Sequence, residues 1–147
     1  MAKPLTGKVA LVTGGSQGIG PGTACALADD GADVALSYVA SADKAAAVVR
    51  ELEGRGVPTA AFKPTKLIPT QVEALIKMVV ERFGHLDILL NNVGVFVGGT
   101  VDNLENNLAE FDQQVAINVG GVMELSRAPV GQRRIGGGDR SCLECQK

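Results

Sequence analysis

The first ninety or so residues alternate short apolar runs with segments of helical period. Lys8 to Thr13 (KVALVT) is apolar and rich in valine, the pattern of a strand buried on both faces. A glycine cluster follows, then a small-residue stretch from about Gly20 to Asp30 that predicts a helix stopped near Gly31. Asp33 to Tyr38 (DVALSY) predicts a second strand, and Ala42 to Leu52 a helix with Val48, Val49 and Leu52 on one side, ending at Gly54. Pro58 to Lys63 (PTAAFK) is a weaker third strand. Thr70 is placed to cap a third helix, in which Val72, Leu75, Ile76, Val79, Val80 and Phe83 recur at i, i+3, i+4 and i+7 before Gly84. Leu86 to Leu90 (LDILL) predicts a fourth strand, and Leu108 to Ser126 one longer helix.

Strands alternating with helices imply a doubly wound α/β fold, a parallel sheet of about four strands with helices on both faces. The pattern stops near Pro129. Residues 131–147 (GQRRIGGGDRSCLECQK) follow neither period, and Ile135 and Leu143 are their only large aliphatic side chains. The expectation is one domain over 1–130 and an irregular tail over 131–147.

Composition narrows the chemistry. The chain has 147 residues, 46% of them apolar, and a net charge of −2, so it lacks the basic field that nucleic acid or an anionic membrane surface requires. No apolar run is long enough for a leader or a membrane span, which predicts a cytoplasmic protein. A single histidine excludes a His-rich metal centre. Cys142-Leu143-Glu144-Cys145 supplies two ligands with no second pair nearby, so neither a metal nor a redox site is expected. Cys25 is assigned to the core of the first helix, His85 to an exposed turn without a partner, and Arg133 and Arg134 to a solvated tail.

The glycines carry a more specific signal. Thr13-Gly14-Gly15-Ser16-Gln17-Gly18-Ile19-Gly20 lies between the first strand and the first helix. There Gly14 permits the tight turn, Gly18 admits a pyrophosphate close to the backbone, and Gly20 lets helix and strand approach. The N–H groups that open the helix then face the anion. Gly-x-x-x-Gly-x-Gly, the opening LTGKVALVTGGSQGIG, LDILLNNVG (Leu86–Gly94) and Ile117-Asn118-Val119 together resemble the short-chain dehydrogenase/reductase family, and within it the 3-oxoacyl-carrier-protein reductase type. The resemblance covers about residues 5 to 128. It implies a Rossmann-like sheet and hydride transfer between a nicotinamide cofactor and a carbonyl or alcohol. It places Gly14, Ser16, Gln17, Gly18, Ile19 and Gly20 at the cofactor phosphates. Asn91, Val93 and Gly94 would stand beside the adenosine ribose and the nicotinamide, with Asn91 and Asn92 equally suited to tying neighbouring strands together. The second strand ends in Ser37-Tyr38-Val39-Ala40-Ser41, with no acid before Asp43. An acid there would bind the ribose 2′-hydroxyl of NAD and repel a 2′-phosphate, whereas the hydroxyls of Ser37, Tyr38 and Ser41 suit one, so NADP is favoured over NAD. Two positions depart from the family: Gln17 stands where many NADP-using relatives have Arg, and Pro64-Thr65-Lys66 where an Asp near the adenine is common.

The family's acid–base group is a Tyr with a Lys four residues later, assisted by a Ser and an Asn. Only the Asn has a match, Asn118, because Tyr38 is the sole tyrosine and Ser141 falls too early and outside any strand-like context. The chain is therefore read as the N-terminal, truncated half of such an oxidoreductase, catalytically incomplete, acting on a small carbonyl only if completed. The alternative is a non-catalytic nucleotide-binding or interaction module. An unpaired fourth strand and an uncovered face on the long helix predict marginal stability as a monomer, with self-association or pairing with a full-length relative. The break near Pro129 is read as an out-of-frame or wrongly joined tail, against a genuine shortened paralogue. Sequencing the downstream coding DNA checks this: another frame encoding Tyr-x-x-x-Lys is expected, and its absence from every frame overturns the reading.

Overall fold

The computed structural model describes residues 2–64, 69–96, 98 and 108–127. Four strands, β1 (Val9–Val12), β2 (Asp33–Ser37), β3 (Thr59–Phe62) and β4 (Ile88–Leu90), form a parallel sheet in the order β3-β2-β1-β4. The crossovers carry α1 (Ile19–Asp29), α2 (Ala42–Glu53) and α3 (Pro69–Phe83). Leu11 pairs with Ala35 on one side and Leu89 on the other, so β1 is central. Centrality and a helical layer on each face explain why all four β1 residues are buried.

Alternation along the strands divides the core. Val9, Leu11 and Ala35 pack against Val72, Leu75, Ile76 and Val79 of α3 and against Leu125. Val12, Val34 and Leu36 point the other way, onto Ala24 and Ala28 of α1 and Val48 and Leu52 of α2. The Rossmann-like, doubly wound architecture read from the periodicity is the one observed. The chain moves outward from β1 to β2 and β3, then returns to the far side of β1 for β4. That reversal opens a crevice beyond the carboxyl ends of β1 and β4.

Several details differ from the sequence reading. β4 is shorter than expected, although Leu86 is fully buried and the Asp87 N–H donates to the Val9 carbonyl at 2.9 Å. His85 is not a partnerless exposed residue: its side chain is 17% exposed, and Nε2 lies 2.9 Å from Asp87 Oδ2 and 3.2 Å from the Gly7 carbonyl oxygen. The cause is the burial of Asp87, whose carboxylate needs donors and also receives the Val9 N–H at 2.8 Å and Lys8 Nζ at 3.4 Å. Cys25 packs at the edge of the second core cluster, with Sγ 3.4 Å from Glu51 Oε1, and partial burial pushes its thiol pKa up. Helix α3 begins at Pro69, which leaves Thr70 inside its first turn; the Thr70 side chain lies outside the described residues.

The expected long helix is interrupted. It runs as α4 (Leu108–Val115), a π-helical segment (Ala116–Gly121) and α5 (Val122–Arg127). Leu108, Phe111, Val115, Val119 and Met123 along it are exposed, and among the described residues β4 pairs with β1 alone. No helix among the described residues is long and apolar enough to cross a membrane. Thr65 and Lys66, and the whole 131–147 segment with Arg133, Arg134, Ser141, Cys142 and Cys145, lie outside the described residues.

Candidate functional site

The crevice is held by one buried hydroxyl. Thr13 directly follows β1, and its Oγ1 accepts the N–H groups of Asn92 at 3.0 Å and Val93 at 3.2 Å while donating to the Leu90 carbonyl at 3.2 Å. Asn92 Nδ2 then donates to the Gly14 carbonyl at 3.1 Å. The turn after β1 and the turn after β4 are thereby locked to each other. Gly14 and Gly18 have φ of 64° and 66°, a left-handed conformation that only glycine adopts without cost. Gly20 meets a different demand: a Cβ there would stand 2.5 Å from the Gly14 carbonyl oxygen and 2.9 Å from Asn92 Nδ2.

The resulting cleft has a volume of about 870 Å³, within the range of cofactor sites. Its floor is the glycine turn (Gly14, Ser16, Gln17, Gly18, Ile19), one wall the residues after β2 (Tyr38 to Ser41), another the loop after β4 (Asn92 to Val95), and its far side Gln113, Ala116 and Ile117. Gly18 caps α1 without a side-chain hydrogen bond, and no acid stands in the first helical turn. The opening N–H groups of α1 thus have no side-chain acceptor from the cap, the condition in which a helix start receives an anion. Among the described lining residues, Tyr38 alone carries an ionisable side chain. Among the described residues, no group of three His, Cys, Asp or Glu is placed to hold a metal ion.

Of the residues singled out from the sequence, Gly14, Ser16, Gln17, Gly18, Ile19, Tyr38, Val93 and Gly94 come together in this cleft. Gly20, Ser37, Asn91 and Asn118 lie outside its lining. Gly20 is buried against Gly14, and Ser37 is 3% exposed within β2. Asn91 Nδ2 donates to Ser126 Oγ at 3.1 Å, so this amide links β4 to α5. Asn118, in the π-helical segment, exchanges two hydrogen bonds with the Val95 backbone: Val95 N–H to Oδ1 at 2.9 Å and Nδ2 to the Val95 carbonyl at 2.8 Å. It fixes the loop that walls the cleft. Val39, Ala40, Val95, Gln113, Ala116 and Ile117 were missed by sequence reasoning, because loop and helix residues that enter a cleft side-on leave no spacing signature.

The family model for short chain dehydrogenase matches residues 8–137. The chain belongs to the short-chain dehydrogenase family. The 3-oxoacyl-(acyl-carrier-protein) reductase FabG of Staphylococcus aureus is 43% identical over 117 residues, covering 78% of this chain and 46% of that protein. Hydroxynaphthalene reductase arp2 of Aspergillus fumigatus is 39% identical over 124 residues, covering 84% of this chain and 45% of that one. A short chain dehydrogenase from Burkholderia cenocepacia, solved in complex with NADP, superposes with a TM-score of 0.84 at 43% identity, over 90% of this chain and 54% of its own. The chain therefore spans about half the length of the short-chain dehydrogenases it matches.

The packing at Gly20 yields a paired test. Gly20→Ala is expected to lower stability by about 1–3 kcal/mol, because its Cβ collides with backbone. Gly22→Ala, on the same helix with nothing within 4 Å, is expected to raise stability by about 0.4–1 kcal/mol. Urea midpoints for both variants check this; equal effects would contradict the close approach.

Proposed function

We propose that the chain forms the dinucleotide-binding half of a cytoplasmic, NADP(H)-dependent oxidoreductase. The observation that carries the reading is the cleft itself. An uncapped helix start and a glycine turn form its floor, and the segment after β2 that walls it has no acid before Asp43. Gly14, Ser16, Gln17, Gly18 and Ile19 would hold the phosphates through backbone N–H groups, with Gly20 keeping the turn against α1. A Cβ at Gly18 would meet nothing within 4 Å, so the backbone is open where an anion must approach. Tyr38 and Ser41 offer hydroxyls on the wall after β2, while the buried Ser37 supports that wall from within the strand. Val93 and Gly94 would border the ribose and nicotinamide, and Asn91 would brace them from behind. The bound cofactor supplies or accepts a hydride.

The described residues would bind and orient; among them no acid–base pair lines the cleft. Reducing a carbonyl requires a proton donor at the oxygen, and among the described lining residues Tyr38 is the one ionisable group, on the wall after β2 rather than beside the loop after β4. Asn118 is a positioning residue here, since both ends of its amide hold Val95. We therefore read the chain as catalytically incomplete, with a small carbonyl as substrate only when the proton donor comes from elsewhere. The exposed apolar stripe from Leu108 to Met123 favours a second reading, a nucleotide-binding interaction module that pairs with another copy or with a full-length relative.

Fluorescence titration with NADPH tests the reading. Saturable binding in the micromolar range is expected, and a dissociation constant weaker than about 1 mM removes it. Carbonyl-dependent oxidation of NADPH by the purified chain is expected to fall at least about 10²–10⁴-fold below that of a complete enzyme. Turnover at the rate of a complete enzyme would overturn the claim of incompleteness.

A further inference from the structure

The amino ends of the strands, opposite the cleft, gather ionisable side chains from around β1, β2, β4 and α3. Asp87, just before β4, is the buried centre: Oδ2 accepts the Val9 N–H at 2.8 Å, and Oδ1 lies 3.4 Å from Lys8 Nζ. Gly84, with φ of 89°, turns the chain out of α3 and brings His85 to this carboxylate. His85 Nε2 stands 2.9 Å from Asp87 Oδ2 and 3.2 Å from the Gly7 carbonyl oxygen. Both neighbours are acceptors, so Nε2 carries a hydrogen in either charge state of the ring, and a second proton enters at Nδ1. Two further charges face the group: Asp33, the first residue of β2, and Arg82, in the last turn of α3. Burial pushes the Asp33 carboxyl up, while the charges of His85 and Arg82 hold it down.

The geometry points to His85 as a proton-operated tie between the starts of β1 and β4. Uncharged, its ring gives Asp87 an ordinary hydrogen bond; protonated, it gives a charge-assisted one, roughly twice as strong. Lys8 and Arg82 oppose the added proton, and Asp33 and Asp87 favour it, so geometry decides. Asp87 is buried and in direct contact at 2.9 Å, whereas Arg82 is exposed to solvent and Lys8 approaches the other carboxylate oxygen. The unfolded chain offers the ring no such partner. The tie therefore stabilises most on the acid side of the imidazole range and fades as pH rises through it. Among the described residues, β4 is joined to β1 by the pairs Ala10–Ile88, Leu11–Leu89 and Val12–Leu90, and Thr13 fastens their carboxyl ends. Asp87, whose own N–H donates to the Val9 carbonyl at 2.9 Å, fastens the other end. His85 thus sets how firmly the two strands bordering the cleft stay paired.

The test compares the 147-residue chain with its His85→Gln variant by urea unfolding at about pH 5.8 and about pH 8, a window above the ordinary carboxylate range. Glutamine can donate to Asp87 but cannot gain a proton. The factor by which His85→Gln raises the unfolding equilibrium constant should be roughly three- to tenfold larger at the acid pH than at the alkaline one. Protection of the Asp87 amide against hydrogen exchange, corrected for the intrinsic pH dependence, should fall by a similar factor across that window in the parent and stay level in His85→Gln. Nitrogen-15 spectra of the imidazole in the parent should show the uncharged ring as the Nε2–H tautomer. Equal costs of His85→Gln at both pH values, or an uncharged ring protonated at Nδ1, overturn the assignment. If His85→Gln does not fold, the parent's amide protection and imidazole spectra decide. None of these measurements uses a dinucleotide, so their outcome is separate from the dinucleotide reading above.

Discussion

Thr13 is the point on which the site depends. A parallel sheet whose strand order reverses leaves a crevice beyond the carboxyl ends of the strands at the reversal, here β1 and β4, and a crevice lined by backbone ends is costly unless those ends find partners. Thr13 follows β1 at that crevice with a side chain 0% exposed. One hydroxyl satisfies three backbone groups of the β4 exit: the N–H of Asn92, the N–H of Val93 and the carbonyl of Leu90. Asn92 returns the favour across the crevice by donating to Gly14. With the two exits locked, the glycine turn cannot spread, and the small residues Gly14 and Gly20 become sterically obligatory. The cleft is the space this clamp leaves open.

A second lock lies at the opposite wall. Asn118 holds the Val95 backbone from both sides, which ties the loop after β4 to the long helix where that helix widens into a π segment. Such widenings recur where a helix must aim a side chain at a functional site. Together the two locks preorganise three walls without using any charge. A neutral, rigid cleft with an open helix start suits an anionic ligand held by backbone dipoles, and it supplies little for acid–base chemistry.

The repeating part of the fold was legible because its physics is periodic. The buried run Val9–Val12, the i, i+3, i+4 stripe of Val72 to Val79 and the glycines after β1 are each signatures of one local constraint. What escaped depends on tertiary placement. His85 and Asp87 are two residues apart, a spacing that can bring extended residues to one side, yet only the burial of Asp87 against Val9 gives His85 its partner. Ser37 is in the right stretch of sequence for the cleft, but strand alternation turns it into the sheet while Tyr38 lines the opening. Asn118, inside the π segment, pairs with the Val95 backbone 23 residues away, a contact that no local pattern encodes.

The chain spans about half of the short-chain dehydrogenases it matches, and its described residues present an unpaired β4 edge and an apolar stripe on the long helix. The central claim is nonetheless local: the clamp at Thr13 builds a cleft that receives a phosphorylated dinucleotide. Backbone amide shifts of the nitrogen-15-labelled chain, recorded by NMR as NADPH is added, test it most directly. The account predicts the largest changes at Ser16–Ile19, Tyr38–Ser41 and Val93–Val95, with the amides of α3 unmoved. Changes confined to α3, or none at saturating NADPH, would contradict it.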